Sequence, residues 1–265
     1  MTGRDLRYFK KWFSDYTQSF YSPCEEDQKN ILLKVEHTRH VCENVKEIIR
    51  GLCLSENEVM LAETIALFHD IGRYTQYARY KTFRDADSRN HGHIGVQVLT
   101  EEKVLRNLPG DEEGVILKTV KFHNAFAIPQ ELDEKTLFYL KLIRDADKLD
   151  IFRVFMDYYE SPREDRASAT AFGLQDTPGY SQNILFCIAR QRMASYRELK
   201  NENDFKLMKL SWIFDINFES TLNKIRQLDY VGKIAAKLPR TDEIVSAVGQ
   251  VQEYIAHRIS LNALT

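Results

Sequence analysis

Apolar residues recur at helical spacing along nearly the whole chain, and no segment alternates with period two over a useful length. Leu6, Phe9, Phe13, Tyr16 and Phe20 form one such stripe, predicting a first helix from about Asp5 to Phe20. Ser22-Pro23-Cys24-Glu25 is a start signal. Ser22 is placed to cap, Pro23 suits the first helical position and Glu25 completes a capping box. Ile31, Leu32, Val35, Val41, Val45, Ile48 and Ile49 then carry a second helix to Gly51. Ser55-Glu56-Asn57-Glu58 repeats the box and opens a third helix. Only 11 Gly and 6 Pro interrupt 265 residues, so long helices and an all-α fold are expected.

The third helix runs into Leu67-Phe68-His69-Asp70-Ile71-Gly72, with Gly72 as its expected stop. Adjacent side chains on a helix point about 100° apart. At a last turn that unwinds, His69 and Asp70 can instead reach one centre. From Arg73 to Asn90 the pattern is irregular and reads as a long connection. It is rich in Arg and Lys, with Tyr74, Tyr77 and Tyr80 interleaved. Those rings either stack a nucleobase beside the cations or pack beneath a solvated loop. Helices follow near His93–Leu105 and Glu112–His123. Another starts after Asp133 and runs to about Tyr159, where Ser161-Pro162 ends it. Residues 161–180 read as a second long loop, and the rest is helical with breaks near Asn201 and Pro239. The expected organisation is a domain over 1–175 and a C-terminal helical extension over 176–265 packed on it.

Six of the seven His fall between His37 and His123. His37, His69, Asp70, His91, His123 and Asp147 lie on or beside successive predicted helices. Imidazole is the commonest metal ligand near neutral pH, and a carboxylate can bridge two ions through its two oxygens. Six such side chains converging would suit a pair of cations. His40 and His93 compete with His37 and His91, and the residues alone do not choose between them.

The ordered set resembles the HD-domain superfamily of metal-dependent phosphohydrolases. His37-Thr38-Arg39-His40-Val41 is similar to its opening motif. Phe68-His69-Asp70-Ile71-Gly72-Arg73 resembles its core, and His91-Gly92-His93-Ile94-Gly95 its third motif. Phe122-His123-Asn124 and Asp145-Ala146-Asp147-Lys148-Leu149-Asp150 resemble its last two. The resemblance covers about residues 30–155. It implies that His37, His69, Asp70 and Asp147 hold one ion, and that His91 and His123 hold a second, with Asp70 shared. Its motifs select His37 over His40 and His91 over His93. No Gly-Tyr-Pro motif stands near the core, so the cyclic-dinucleotide phosphodiesterase subtype is not supported. The Glu that some mononuclear nucleotidases carry after the core is replaced by Arg73 and Tyr74.

The implied chemistry is hydrolysis of a small phosphoester, a nucleotide among the candidates, by a metal-activated hydroxide with Asp70 at the catalytic centre. Fe or Mn is the expected metal, with Ni, Co, Zn or Mg as alternatives. Arg73 and Lys148 are the candidate phosphate contacts; the alternative is that they are surface or ion-paired residues. Two other readings stay open: a di-iron oxygenase of the same superfamily and a non-catalytic nucleotide-sensing module. The formal net charge of −2 argues against bulk nucleic-acid binding. No apolar run suits a membrane span, the N-terminus shows no signal-peptide pattern, and the four Cys lack paired spacing. A cytoplasmic location is the expectation.

Overall fold

A computed structural model describes residues 1–162 and 174–262, all helix, turn and loop without a strand among them. Most of the second expected loop lies outside the described residues. The chain divides into two compact units, and the division falls after Asp150.

The first unit is built from α1 (Gly3–Gln18), α2 (Glu25–Ile48), α3 (Glu56–Phe68), α4 (Gly72–Tyr80), α5 (His91–Glu101), α6 (Gly110–Phe122) and the N-terminal part of α7 (Glu134–Glu160). α3 is the central helix. It packs on α1, α2 and α6, and every residue from Leu61 to Phe68 is buried. Such a helix can be apolar all round because it meets neighbours on all sides. Phe68 is fully enclosed, with the rings of Phe9 and Trp12 edge-on at 5.6 and 5.9 Å. Burying a side chain of this size contributes about 2–3 kcal/mol. The aromatic stripe of α1 is therefore packing, and it covers the segment that leads into His69.

Local signals explain most boundaries. Ser55 and Glu58 form the reciprocal capping box predicted for α3. Asp133 accepts from the Thr136 amide at 2.8 Å and opens α7. The box predicted at Ser22 does not form. α2 begins at Glu25 behind Cys24, which makes no side-chain cap, and Ser22 Oγ accepts from the Cys24 amide instead. α1 is capped by Thr2 and Asp5, a box that the sequence reading passed over.

Two expectations around the His-Asp step are corrected. Residues 73–80 are not a loop but α4. Tyr74 and Tyr77 are buried on its inner face, with Tyr74 packed edge-on against Phe13 and Tyr16. These two rings are packed beneath the surface and are not available to stack a base. Gly72 does not stop a helix; it starts one. A Cβ there would run into the His91 carbonyl oxygen and stand 2.6 Å from the Gly95 amide nitrogen. Glycine is needed because α4 and α5 touch backbone to backbone. Gly92 does the same between α5 and α6, where a Cβ would stand 2.7 Å from the Lys121 carbonyl. α7 is tied in by Asn44 Nδ2 donating to the Ala146 carbonyl and by Arg144 Nη1 donating to the His123 carbonyl, at 3.0 and 3.1 Å.

The second unit holds Ile151–Ser161 and the C-terminal helices α8 (Gln182–Ala189), α9 (Glu202–Ser211), α10 (Glu219–Gln227), α11 (Tyr230–Ala235) and α12 (Asp242–Asn262). α8 packs on α9 and α12, and α11 packs on α9, α10 and α12. Asn201 caps α9 by accepting from the Asp204 amide at 2.9 Å, at the break predicted near that residue. Among the described residues no helix is long and apolar enough to cross a membrane.

Candidate metal centre

The turn after α3 aims the His-Asp pair. His69 and Ile71 keep right-handed helical angles, but the hydrogen bonds tighten: Ile71 donates to Phe68 and Arg73 to Asp70, each three residues back. The segment tightens where unwinding was expected. His69 Nδ1 donates to its own helix at the Ala66 carbonyl, 2.7 Å away. Its Nε2 then faces inward.

Asp70 lies between two pairs of imidazoles. Its Oδ2 is 3.6 Å from His37 Nε2 and 3.8 Å from His69 Nε2. Its Oδ1 is 3.2 Å from His91 Nε2 and 3.6 Å from His123 Nε2. Within the pairs the Nε2 atoms stand 3.3 Å apart for His37 and His69, and 2.9 Å apart for His91 and His123. Asp147 joins the first pair, with Oδ1 3.1 Å from His37 Nε2 and 3.8 Å from His69 Nε2. The four His and Asp70 are buried; Asp147 is partly open. His40 and His93 stay outside: His40 lies between Glu36 and Glu43, and His93 is exposed.

The donor set fits metal ions. Each of the four rings spends Nδ1 on an oxygen acceptor. His37 donates to Asp150 at 2.6 Å, His91 to Asp85 at 2.9 Å, His69 to the Ala66 carbonyl at 2.7 Å and His123 to the Val120 carbonyl at 2.8 Å. With Nδ1 as donor, the neutral ring presents a lone pair at Nε2. Two such lone pairs 2.9 Å apart repel unless a proton or a cation lies between them. Donors about 2.1 Å from one transition-metal ion stand about 3.0 Å apart at right angles and about 3.4 Å apart at the tetrahedral angle. The spacings above cluster around these values. Two groups among the described residues could each hold an ion: His37, His69 and Asp70; and Asp70, His91 and His123.

The electrostatics of Asp70, His69 and His91 agree. Burial opposes charge on Asp70, but Lys34, Arg73 and the neighbouring imidazoles hold its carboxyl well below the usual range. Burial pushes His69 down to about 4 and lowers His91 as well, so both rings are neutral donors. For His37, burial and Lys34 act downward, yet Asp147 and Asp150 outweigh them and lift it to about 9.

Four further residues complete the centre, none of them among the site candidates legible in the sequence. Asp85 takes His91 Nδ1, Gln76 Nε2 at 2.8 Å and Asn124 Nδ2 at 2.8 Å. Asp150 orients His37. Lys34 Nζ donates to Asp70 Oδ2 at 2.8 Å. Asn124 closes the α6 side. Asp150 lies three residues after Asp147 in the same motif, and that spacing was the available signal. Arg73 lies at the centre, but its guanidinium is committed: Nε faces Asp70 Oδ1 at 3.3 Å, and Nη1 donates to Gln76 and Asp85 at 2.9 and 3.3 Å. Lys148 is buried beside Asp147 in sequence.

An all-helical bundle that brings His and Asp donors together in this way could hold metal ions. Residues 35–151 match the family model of the HD domain, and that stretch contains all six of the converging His and Asp side chains. No curated protein and no solved structure matched the chain.

Proposed function

We propose that the protein is a binuclear metal-dependent phosphohydrolase acting on a small phosphoester, with nucleotides among the candidate substrates. The observation that carries this reading is the position of Asp70, whose two oxygens each face a different imidazole pair. His37, His69, Asp70 and Asp147 would hold one ion, and Asp70, His91 and His123 the other. The mixed nitrogen and oxygen set favours Fe or Mn, and also accepts Ni, Co, Zn or Mg. Divalent ions held there supply the charge that makes water a nucleophile near neutral pH and offsets charge on phosphate oxygens.

The chain's own groups do the positioning. Asp150 and Asp85 fix the tautomer and angle of His37 and His91. Arg73 braces Asp70 through Nε and ties it to Asp85, which favours a holding role over direct phosphate contact. Lys148 remains a candidate phosphate contact. The buried imidazoles exclude bulk water from the inner side, where charge interactions are strongest.

The test is the metal content of protein purified anaerobically without chelator, followed by a phosphatase and phosphodiesterase screen. About two ions per chain and metal-dependent phosphate release are expected. Substrate-dependent O₂ uptake by a mixed-valent di-iron form, with no phosphate released from any ester, would replace this reading with the oxygenase one. Tight nucleotide binding without turnover by metal-replete protein would replace it with a sensor.

A further inference from the structure

We propose that Lys34, in α2, is the substrate-anchoring cation of the centre, receiving a terminal oxygen of a tetrahedral oxyanion such as a phosphate. The proposal rests on the binuclear hydrolase reading and adds the residue that binds the anion. Lys34 stands one helical turn before His37, so both side chains leave the same face of α2. Its Nζ is 2.8 Å from Asp70 Oδ2, and its side chain is 15% exposed against 4% for Asp70. The Lys34 side chain is thus the more open member of the pair and has room for a second partner beside Asp70.

The charge balance separates Lys34 from Arg73. Arg73 faces Asp70 and Asp85 together, so it keeps a carboxylate whatever Asp70 does. Among the described residues Asp70 is the one carboxylate within ion-pair distance of Lys34. Its other neighbour is the Phe83 ring, 5.2 Å from Nζ, which supports a cation but cannot neutralise it. Once Asp70 oxygens are committed to divalent ions, the Lys34 charge has no protein counterion left and stands beside added positive charge. An incoming oxyanion answers both. A phosphate offers several oxygens, enough to meet the ions and the ammonium at once. The ammonium is a compact donor on a flexible stem, suited to follow the anion as its geometry changes.

The experiment is calorimetric titration of inorganic phosphate into metal-loaded protein, with metal content measured on the same samples. Wild type should bind phosphate with two ions per chain. Lys34→Met should keep the ions but weaken phosphate binding ~10-fold or more, and Lys34→Arg should restore most of it. Phosphate affinity unchanged in Lys34→Met at full metal content overturns the anchor and leaves the hydrolase reading standing. Loss of metal from both variants overturns it in favour of a role in holding Asp70. Failure of metal-loaded wild type to bind phosphate overturns the anchor and the hydrolase reading together.

Discussion

His37 donates Nδ1 to Asp150 across 2.6 Å, while its Nε2 points at the centre. His91 repeats the arrangement with Asp85 at 2.9 Å. Each proposed ion thus has one imidazole oriented by a carboxylate and one oriented by a carbonyl of its own helix. Both partners fix the ring, and the charged carboxylate raises ligand basicity more than the neutral carbonyl does. Asp150→Asn should weaken one ion by about 10–100-fold and Asp85→Asn the other. Titration of metal-free protein with Mn²⁺, read by calorimetry, would show one site weakened in each variant. Unchanged binding at both sites in both variants would sink the orienting role.

In the proposed site Asp70 serves both ions, so its loss should not resemble the loss of either imidazole pair. Asp70→Ala is expected to abolish retention of both ions and all hydrolysis, whereas His40→Gln and His93→Gln should leave two ions per chain. His40 lies between glutamates and His93 is exposed, so neither has access to the centre. Activity surviving in Asp70→Ala would mean that the site is misplaced.

The all-α class was legible because its signals are local: apolar residues at helical spacing, two Ser-x-x-Glu stretches and few breakers. One of those stretches misled. Ser55 caps, but Ser22 does not, because Cys24 takes the cap position and α2 starts two residues later than a box requires. The residues brought together at the centre were visible as an ordered set, since ligand chemistry restricts residue type. Their supports were hidden. Asp85 and Lys34 look like members of solvated charge patterns, and only packing of α2, α4 and α5 brings them to Asp70 and His91. α4 was missed for a related reason. Its helical signal is two buried tyrosines among cations, and tertiary packing outweighs that composition.

Gly72 offers a test of how closely backbone spacing governs the second pair. The methyl of Gly72→Ala meets backbone atoms of His91 and Gly95, which cannot rotate away as a side chain would. We expect a loss of about 2–3 kcal/mol in urea unfolding of the metal-free protein. The displacement falls on His91, so the site holding Asp70, His91 and His123 should weaken while that of His37 and His69 persists. Equal weakening of both would show that α4 and α5 move as part of a wider rearrangement.

Metal uptake should depend on pH through His37. In the metal-free fold its pKa is lifted to about 9 from an ordinary 6.5, because Asp147 and Asp150 outweigh burial and Lys34. Below pH 9 the ring holds a proton that an ion must displace. Affinity at that site should therefore rise up to ~10-fold per pH unit toward 9 and flatten above it. His69, pushed down to about 4 by burial, adds no such slope near neutrality. The effect on folding has the opposite sign. A folded pKa above the unfolded one stabilises the metal-free protein fully below about pH 6.5, and that contribution is lost as pH rises through about 9. The same rise in pH thus loosens the empty fold and tightens the ion. Calorimetry at pH 7 in buffers of different ionisation enthalpy should detect about one proton released per ion bound at the His37 site. Asp150→Asn lowers the His37 pKa, so proton release should shrink in that variant. A proton count unchanged by Asp150→Asn would remove His37 as the source.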